Sequence, residues 1–354
     1  MDPGLRCFTV VRGSHDIVVF HRLAPVSAGT GLEANELRQP TAVSRMRTLR
    51  TVAELRTALA PARRAGRAIG LVPTMGALHE GHLALIRRAR EQCDLVVVTL
   101  FVNPAQFNES SDLERYPRRE RDDAGLAAEA GADLLFAPAV DEVYPPGFAT
   151  TVEVLGLTDR LEGAARGASH FRGVTTVVTK LLCMASPDVL YLGQKDAQQV
   201  LVIRRLVTDL NLAVAIEVQP TVRERDGLAL SSRNALLSPA ARERALALHA
   251  ALRAAQELAA AGERTPQRLL DAAHAALEPF AITPEYLELV DPETLEPIAA
   301  LEQPALLAIA APIDGVRLID NAIIQPTVQP LSQSLPAASG PIPRSLLAAS
   351  DIHP

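Results

Sequence analysis

The chain reads as an α/β protein, with a Rossmann-like parallel sheet carrying helices on both faces and a smaller C-terminal α+β domain. Three observations point there. Between residues 46 and 222, short apolar runs such as "AIGLVPT", "DLVVVTLFVN" and "PDVLYLG" alternate with segments of helical period. Those runs are apolar throughout rather than at every second position, which marks strands covered on both faces. After about residue 222 the texture changes to long Ala-rich helices followed by strand-like pieces.

Taken in order, residues 1–45 show no sustained period and end in the polar stretch "EANELRQPTAVSR", so they are expected to be a poorly ordered extension. A clean helical pattern begins only in "LRTVAELRTALAPARRAG", which makes Met46 a candidate functional start. The strand "AIGLVPT" and the helix "HLALIRRAREQ" follow, then the strand "DLVVVTLFVN". "RRERDDAGLAAEAG" is a helix closed by Gly131, and "ADLLFAP" is again strand-like. "VTTVVTKLLCMAS" reads as helix despite its β-branched residues. "PDVLYLG", "AQQVLVIRRLVTDLN" and "AVAIEVQPTV" then give strand, helix and strand. Residues 46–222 therefore form the Rossmann-like domain.

In residues 223–325, the smaller domain, Ser238 and Pro239 supply an N-cap and first-turn pair for a long Ala-rich helix. A second helix, "TPQRLLDAAHAALE", precedes the strand-like "PEYLELVD", "ALLAIAAPID" and "VRLIDNAII". Residues 326–354 are rich in Pro, Ser, Gln and Ala and read as a flexible tail.

Composition narrows the function classes. A length of 354 residues allows two domains, and 48% hydrophobic with 21% charged residues is a globular balance. The net charge of -6 argues against a general nucleic-acid binder. With 3% aromatics and no tryptophan, aliphatic packing must dominate the core. The three cysteines, Cys7, Cys93 and Cys183, are far apart and lack metal or redox spacing, which fits a reducing compartment. The largely apolar run at residues 95–102 is too short to span a bilayer, and residues 1–20 lack a signal-peptide pattern. A soluble cytoplasmic protein with neither membrane nor nucleic-acid partner is expected.

Four segments can carry chemistry. "PTMGALHEGH" places His79 and His82 three residues apart after a strand. That spacing shares a helix face and allows a metal pair, but it is one residue short of the HExxH zinc pattern and no third ligand is evident. A strand-to-helix turn also aims free N–H groups and a positive dipole at an anion, with Gly76 and Gly81 permitting close approach. Two ordinary surface histidines are the bland alternative. The strand-end position favours the anion reading. "LYLGQKDAQQV" puts Gly193, Lys195 and Asp196 at a strand end, with Gln198 and Gln199 in the next helix; taken alone, a solvated Lys–Asp turn is the commoner meaning. "RDGLALSSRNALLS" gathers Ser231, Ser232, Arg233 and Asn234, which suits a polyphosphate or equally a polar interdomain loop. "LFVNPAQFNESSDLERYPR" offers Asn103, Gln106, Tyr116 and Arg118, neutral and cationic groups suited to a small hydroxy-acid or to a surface loop. Asp122 and Asp123, in "RRERDD", are tempting for an amine or Mg²⁺ but read more simply as a solvated helix face. Neither GxxxxGK[ST] nor a post-strand GxGxxG is found.

In this order the blocks "PTMGALHEGH", "FVNPAQF", "YPR", "HFRGVTTVVTKLL", "GQKDAQQ" and "RERDGLALSSRN" resemble the pantothenate synthetase (pantoate–β-alanine ligase) family of the HxGH nucleotidylyltransferase superfamily. The resemblance runs from about Met46 to Asn321. It implies an ATP-dependent, AMP-forming ligation of (R)-pantoate and β-alanine through pantoyl adenylate, in a homodimer. It further implies that His79, His82 and Lys195 are catalytic, with His82 as proton donor. Met75, Gly76, Gly193, Asp196, Val222, Ser231, Ser232 and Arg233 would bind ATP, and Gln106 and Gln199 would bind pantoate. No protein metal site is implied, since Mg²⁺ would ride on the phosphates.

The chain departs from the family pattern in three places. Leu230 stands for the usual Met, and Gln194 for a frequent Glu. Arg166 lies four residues before His170 rather than three, which puts its role in question. Rival readings are a nucleotidylyltransferase acting on another small acid or cofactor precursor, and a nucleotide-binding regulator on the same fold.

Overall fold

The computed structural model describes residues 5–10, 17–22, 46–108 and 110–327. It divides into two units, Met1–Ser44 and Arg45–Pro354. In the first, β1 (Leu5–Val10) and β2 (Ile17–Arg22) form an antiparallel pair running from Leu5↔Arg22 to Val10↔Ile17. The remainder of the expected 1–45 extension, and the expected tail beyond residue 327, lie outside the described residues.

The second unit begins with β3 (Arg47–Leu49), α1 (Val52–Arg64), β4 (Ile69–Thr74), α2 (Glu80–Gln92) and β5 (Leu95–Leu100). The short α3 (Ser110–Arg115) leads to α4 (Glu120–Glu129), β6 (Leu134–Phe136) and α5 (Val140–Val143). Next come α6 (Leu161–Arg166), α7 (Ala168–Ala185), β7 (Val189–Gly193), α8 (Ala197–Asp209) and β8 (Ala215–Gln219). Six of these strands form one parallel sheet in the order β3-β6-β5-β4-β7-β8. From β4 the chain steps outward through β5 and β6 on one side, where β3 adds the edge, and through β7 and β8 on the other, so the connection reverses between β4 and β7. Ligand crevices in such sheets open at the carboxyl ends of the strands at that reversal.

The apolar runs divide their side chains between the two faces with the period of a strand. Leu71, Val97, Phe136 and Leu190 pack under α1, α7 and α8. Val72, Val96, Val98, Leu135 and Tyr191 pack under α2 and α4. Burial on both faces is why the runs stay almost wholly apolar; the buried Thr74 is an exception, its hydroxyl donating to Thr99 O. The three-residue edge strand β3 carries too little pattern to be read from the sequence, and it pairs only with β6.

Beyond β8 lie α9 (Pro239–Ala260), α10 (Pro266–Leu277), β9 (Tyr286–Val290), β10 (Ala305–Ile313) and β11 (Val316–Ile324). The α9 cap is the expected one: Ser238 Oγ accepts from Ala241 N–H at 3.1 Å, and Pro239 opens the helix. Strands β9, β10 and β11 form an antiparallel sheet with β10 central. Asp314 (φ 47°) and Gly315 (φ 81°) make the two-residue β10–β11 turn, whose left-handed pair suits the right-handed strand twist. One face of β10, with Leu307, Ile309 and Ile313, packs on α9 and α10. The other face, with Leu306 and Ala308, packs toward Leu161, Ala197 and Leu201 of the parallel-sheet half. This small sheet therefore forms a wall beside the carboxyl end of β7.

Candidate functional site

The turn leaving β4 is held in a rare conformation. Gly76 has φ 88° and Ala77 has φ 50°, two consecutive left-handed residues, the second of which strains a side chain. The carboxylate of Asp123, 2% exposed in α4, accepts from Ala77 N–H at 2.9 Å and Leu78 N–H at 2.7 Å. A Cβ at Gly76 would stand 3.0 Å from that carboxylate, so this residue serves the turn and is not part of the cleft lining. Asp123 is thus a buried anchor and not the solvated acid its sequence context suggested. Asp122 is exposed.

The turn delivers the two histidines to the start of α2. His79 is the N-cap: its Nδ1 accepts from Gly81 N–H at 3.2 Å, while His82 Nδ1 accepts from His79 N–H at 3.3 Å. This is a capping box built from imidazoles. Gly81 leaves room for it, since a Cβ there would lie 3.0 Å from the His79 ring. Because both Nδ1 atoms accept, each neutral ring carries its proton on Nε2, the edge left for the cleft. The rings lie 4.1 Å apart. Burial, with Lys195 nearby, lowers His79 to about 4; burial, with His79 and Lys195 nearby, lowers His82 to about 3. Both are neutral hydrogen-bond donors at pH 7.

At the end of β5 the chain makes a single 3₁₀ turn, Pro104–Gln106, capped by the buried Asn103. Asn103 Oδ1 accepts from Ala105 N–H at 3.3 Å and from the Tyr144 hydroxyl at 2.8 Å. Its Nδ2 donates to Gly173 O at 3.1 Å and to Gln106 Oε1 at 3.0 Å. Gln106 Nε2 then points to Met75 Sδ at 3.2 Å. Gly173 allows α7 to touch this turn, because a Cβ there would collide with the Ala105 carbonyl. His170 donates from Nδ1 to Gln106 O at 2.9 Å, and its Nε2 faces Arg166 Nη1 at 3.5 Å. Gly167 (φ 83°) joins α6 to α7, and Arg166 reaches His170 across this junction.

The opposite wall comes from β7, α6 and the small sheet. A 3₁₀ turn, Gln194–Asp196, carries Lys195. Asn321 of β11 clamps it by donating Nδ2 to Gln194 O at 3.0 Å and Lys195 O at 2.8 Å. Next to Asn321, Asp320 pairs with Arg223 through contacts of 2.6 and 2.9 Å. Ser231 caps the Ser232–Leu236 turn by accepting from Arg233 N–H at 3.2 Å, and Ser232 Oγ donates to Ala77 O at 3.3 Å. The serine cluster is thereby tied to the histidine turn. Deeper, Glu162 accepts from both terminal nitrogens of Arg317 and from the Tyr286 hydroxyl, all at 2.7 Å. Burial opposes the charged form of Glu162, but Arg317 outweighs it and holds the carboxyl below its usual range.

These walls enclose a cleft of about 990 Å³. Met75, His79, His82, Gln106, Gly193, Lys195, Asp196, Gln199, Val222, Ser231, Ser232 and Arg233 all line it, so of the thirteen expected positions only Gly76 lies outside. Tyr116 also faces the cleft, whereas Arg118 is exposed and turns to the carbonyls of Leu113 and Glu114. Gln198 is a buried part of the cleft lining, and its side chain bonds Leu157 O, Arg160 O and Glu162 N–H. Sequence reasoning missed Asp123 as an anchor, Tyr144 behind Asn103, and Asn321 over the lysine turn. Among the described residues no group of three or more His, Cys, Asp or Glu side chains is placed to hold a metal ion, and no helix is long and apolar enough to cross a membrane.

Residues 47–323 match the family described as Pantoate-beta-alanine ligase. A pantothenate synthetase of Cereibacter sphaeroides is 55% identical over 273 residues, covering 77% of this chain and 98% of that protein. One of Moorella thermoacetica is 50% identical, covering 79% and 99%. The crystal structure of the Thermus thermophilus pantothenate synthetase superposes with a TM-score of 0.76 at 48% identity, covering 79% of this chain and all of that one. A Francisella tularensis pantoate-beta-alanine ligase, solved with beta-gamma ATP and beta-alanine, gives 0.66 at 34% identity, covering 78% and 97%. The matches span the parallel sheet, the imidazole-capped turn and the small-sheet wall alike, and the chain belongs to the pantoate–β-alanine ligase family, whose members are ligases.

Proposed function

We propose that this chain condenses (R)-pantoate with β-alanine at the cost of ATP, through pantoyl adenylate, releasing pyrophosphate and then AMP. The observation that carries this reading is the pair of neutral histidines at the strand-order reversal, each with Nδ1 engaged by backbone and Nε2–H left for the cleft beside Lys195. In the first step a pantoate carboxylate oxygen attacks the α-phosphorus, and the bond to the bridging oxygen breaks so that pyrophosphate leaves with the electron pair. Charge builds on the non-bridging α-oxygens, and fixed donors stabilise it without reorganising. His79 and His82 act as hydrogen-bond donors there, since burial leaves both rings neutral near pH 7. In the second step the neutral β-alanine amine attacks the acyl carbon, the acyl–oxygen bond to AMP breaks, and the amine nitrogen loses one proton.

Lys195, Ser231, Ser232 and Arg233 form a cationic and hydroxylic donor set suited to the β- and γ-phosphates. Met75, Gly193, Asp196 and Val222 flank the nucleoside, and Gly76 contributes by shaping the turn. Gln106 and Gln199 meet pantoate. Asp123 has both carboxylate oxygens committed to backbone N–H groups, so this donor set fits a Mg²⁺ ion borne on ATP itself, where it offsets phosphate charge. Residues 46–222 hold pantoate and the nucleoside in this reading, and residues 223–325 supply the facing wall with Ser231, Ser232 and Arg233. A cytoplasmic homodimer accords with family membership and with the free thiols of Cys93 and Cys183.

The test is a quenched-flow assay of the purified chain. AMP formation that requires both pantoate and β-alanine is the expected result. Adenylate that accumulates and never passes to an amine would mark a nucleotidylyltransferase, and ATP binding without pyrophosphate release a regulator.

A further inference from the structure

We propose that Tyr144 is a positioning residue that restrains the Asn103 amide, and through it the Gln106 carboxamide that meets the acid substrate, by the directed chain Tyr144–Asn103–Gln106. This rests on the assignment of Gln106 to pantoate.

The chain has only one self-consistent direction, because its fixed ends cannot change role. Ala105 N–H can only donate, and it faces Asn103 Oδ1 at 3.3 Å. Gly173 O can only accept, and it faces Asn103 Nδ2 at 3.1 Å. These two backbone groups settle the orientation of the Asn103 amide. Its oxygen must then receive the Tyr144 hydroxyl at 2.8 Å, and its nitrogen must donate to Gln106 Oε1 at 3.0 Å. Gln106 has its oxygen occupied and presents Nε2–H₂, whose protein partner is only the weak thioether acceptor Met75 Sδ at 3.2 Å. The cleft is offered a donor. A carboxylate or hydroxyl oxygen satisfies it, and an ammonium group is turned away.

Tyr144 lies outside the cleft lining and so acts only through Asn103. Its hydroxyl is kept protonated, since burial pushes the phenol up to about 12. Its ring is placed independently of that hydroxyl, between Phe101 at 6.1 Å and Phe148 at 5.1 Å, with the Lys180 ammonium 5.8 Å from its centroid. Removing the oxygen alone leaves this packing intact. It also leaves Asn103 Oδ1 with a single donor and loosens the amide that restrains Gln106.

The test compares the wild-type full chain with Tyr144→Phe in steady-state pyrophosphate release, then repeats the pair in a Gln106→Ala background. Pantoate affinity in that background is read by equilibrium dialysis with a non-reacting ATP analogue. Tyr144→Phe is expected to raise the pantoate KM about three- to tenfold, with the ATP KM changed less than twofold. In the Gln106→Ala background the same substitution is expected to change the pantoate dissociation constant by less than twofold, because the group it orients is gone. An unchanged pantoate KM, or an equal loss in both backgrounds, overturns the proposal and leaves Tyr144 a packing residue. Absence of pantoate-dependent turnover in the wild-type chain overturns instead the functional reading beneath it.

Discussion

The Asp123 carboxylate holds Ala77 in a left-handed conformation, 46 positions away in the chain, by accepting its N–H at 2.9 Å. Because Ala77 immediately precedes the Leu78–His79 entry to α2, this contact sets where the imidazoles point. Asp123→Asn replaces one accepting oxygen by an NH₂ facing an N–H donor. A loss of about 1–3 kcal/mol in stability is expected, together with an activity loss larger than the unfolded fraction explains. Urea denaturation and pyrophosphate release on the same preparation measure both, and full activity per folded molecule would refute the positioning role.

The histidines are expected to act as neutral donors. His82→Ala should lower kcat about 10²–10³-fold with the ATP KM little changed. His82→Gln, which can place an N–H near the Nε2 position, should recover part of that loss. Equal activities of the two variants would argue for a role that an amide cannot fill, such as proton transfer.

Stability should depend on pH in a defined window. Burial is the first cause lowering His79 to about 4, His82 to about 3 and His170 to about 4 from 6.5. An unfolded chain therefore takes up more protons than the native one as pH falls. The contribution of these neutral rings is complete above about 6.5 and is lost progressively toward pH 4 and below. Glu162, held by Arg317 below the usual carboxyl range, adds a loss only at lower pH. The urea midpoint should accordingly fall between pH 6.5 and 5, and fall less in His82→Gln. A flat midpoint across that range would count against the buried neutral imidazoles.

Gly173→Ala places a methyl group against the Ala105 carbonyl and forces the turn bearing Gln106 away from α7. The expected result is a pantoate KM raised at least tenfold, with the ATP KM affected less. A crystal structure of the variant would show the turn displaced; an undisturbed turn with normal pantoate kinetics would contradict this packing argument.

Much of the frame is visible in the sequence because burial on both faces leaves long apolar runs, and because His79 and Lys195 each follow such a run. The supports of those residues are not visible. Asp123 sits in an acidic, arginine-rich run whose composition signals solvent, and only the packing of α4 beside the β4 turn buries it. Tyr144 meets Asn103 across 41 positions, and Asn321 meets Lys195 across 126; no local periodicity encodes either contact. Three residues of β3 are too few to show a period. The role of Arg166 could not be read from spacing, because its approach to His170 at 3.5 Å depends on how α6 meets α7 at Gly167.

Asn321 and Asp320, neighbours on β11, grip the lysine turn and Arg223 respectively. The two halves therefore cannot be treated as interchangeable modules. A chimera that grafts a foreign C-terminal half onto residues 46–222 would keep its parallel sheet yet leave the lysine without its brace. A graft onto residues 46–222 must therefore carry an asparagine at the Asn321 position, or arrive with a cleft that is folded and ineffective.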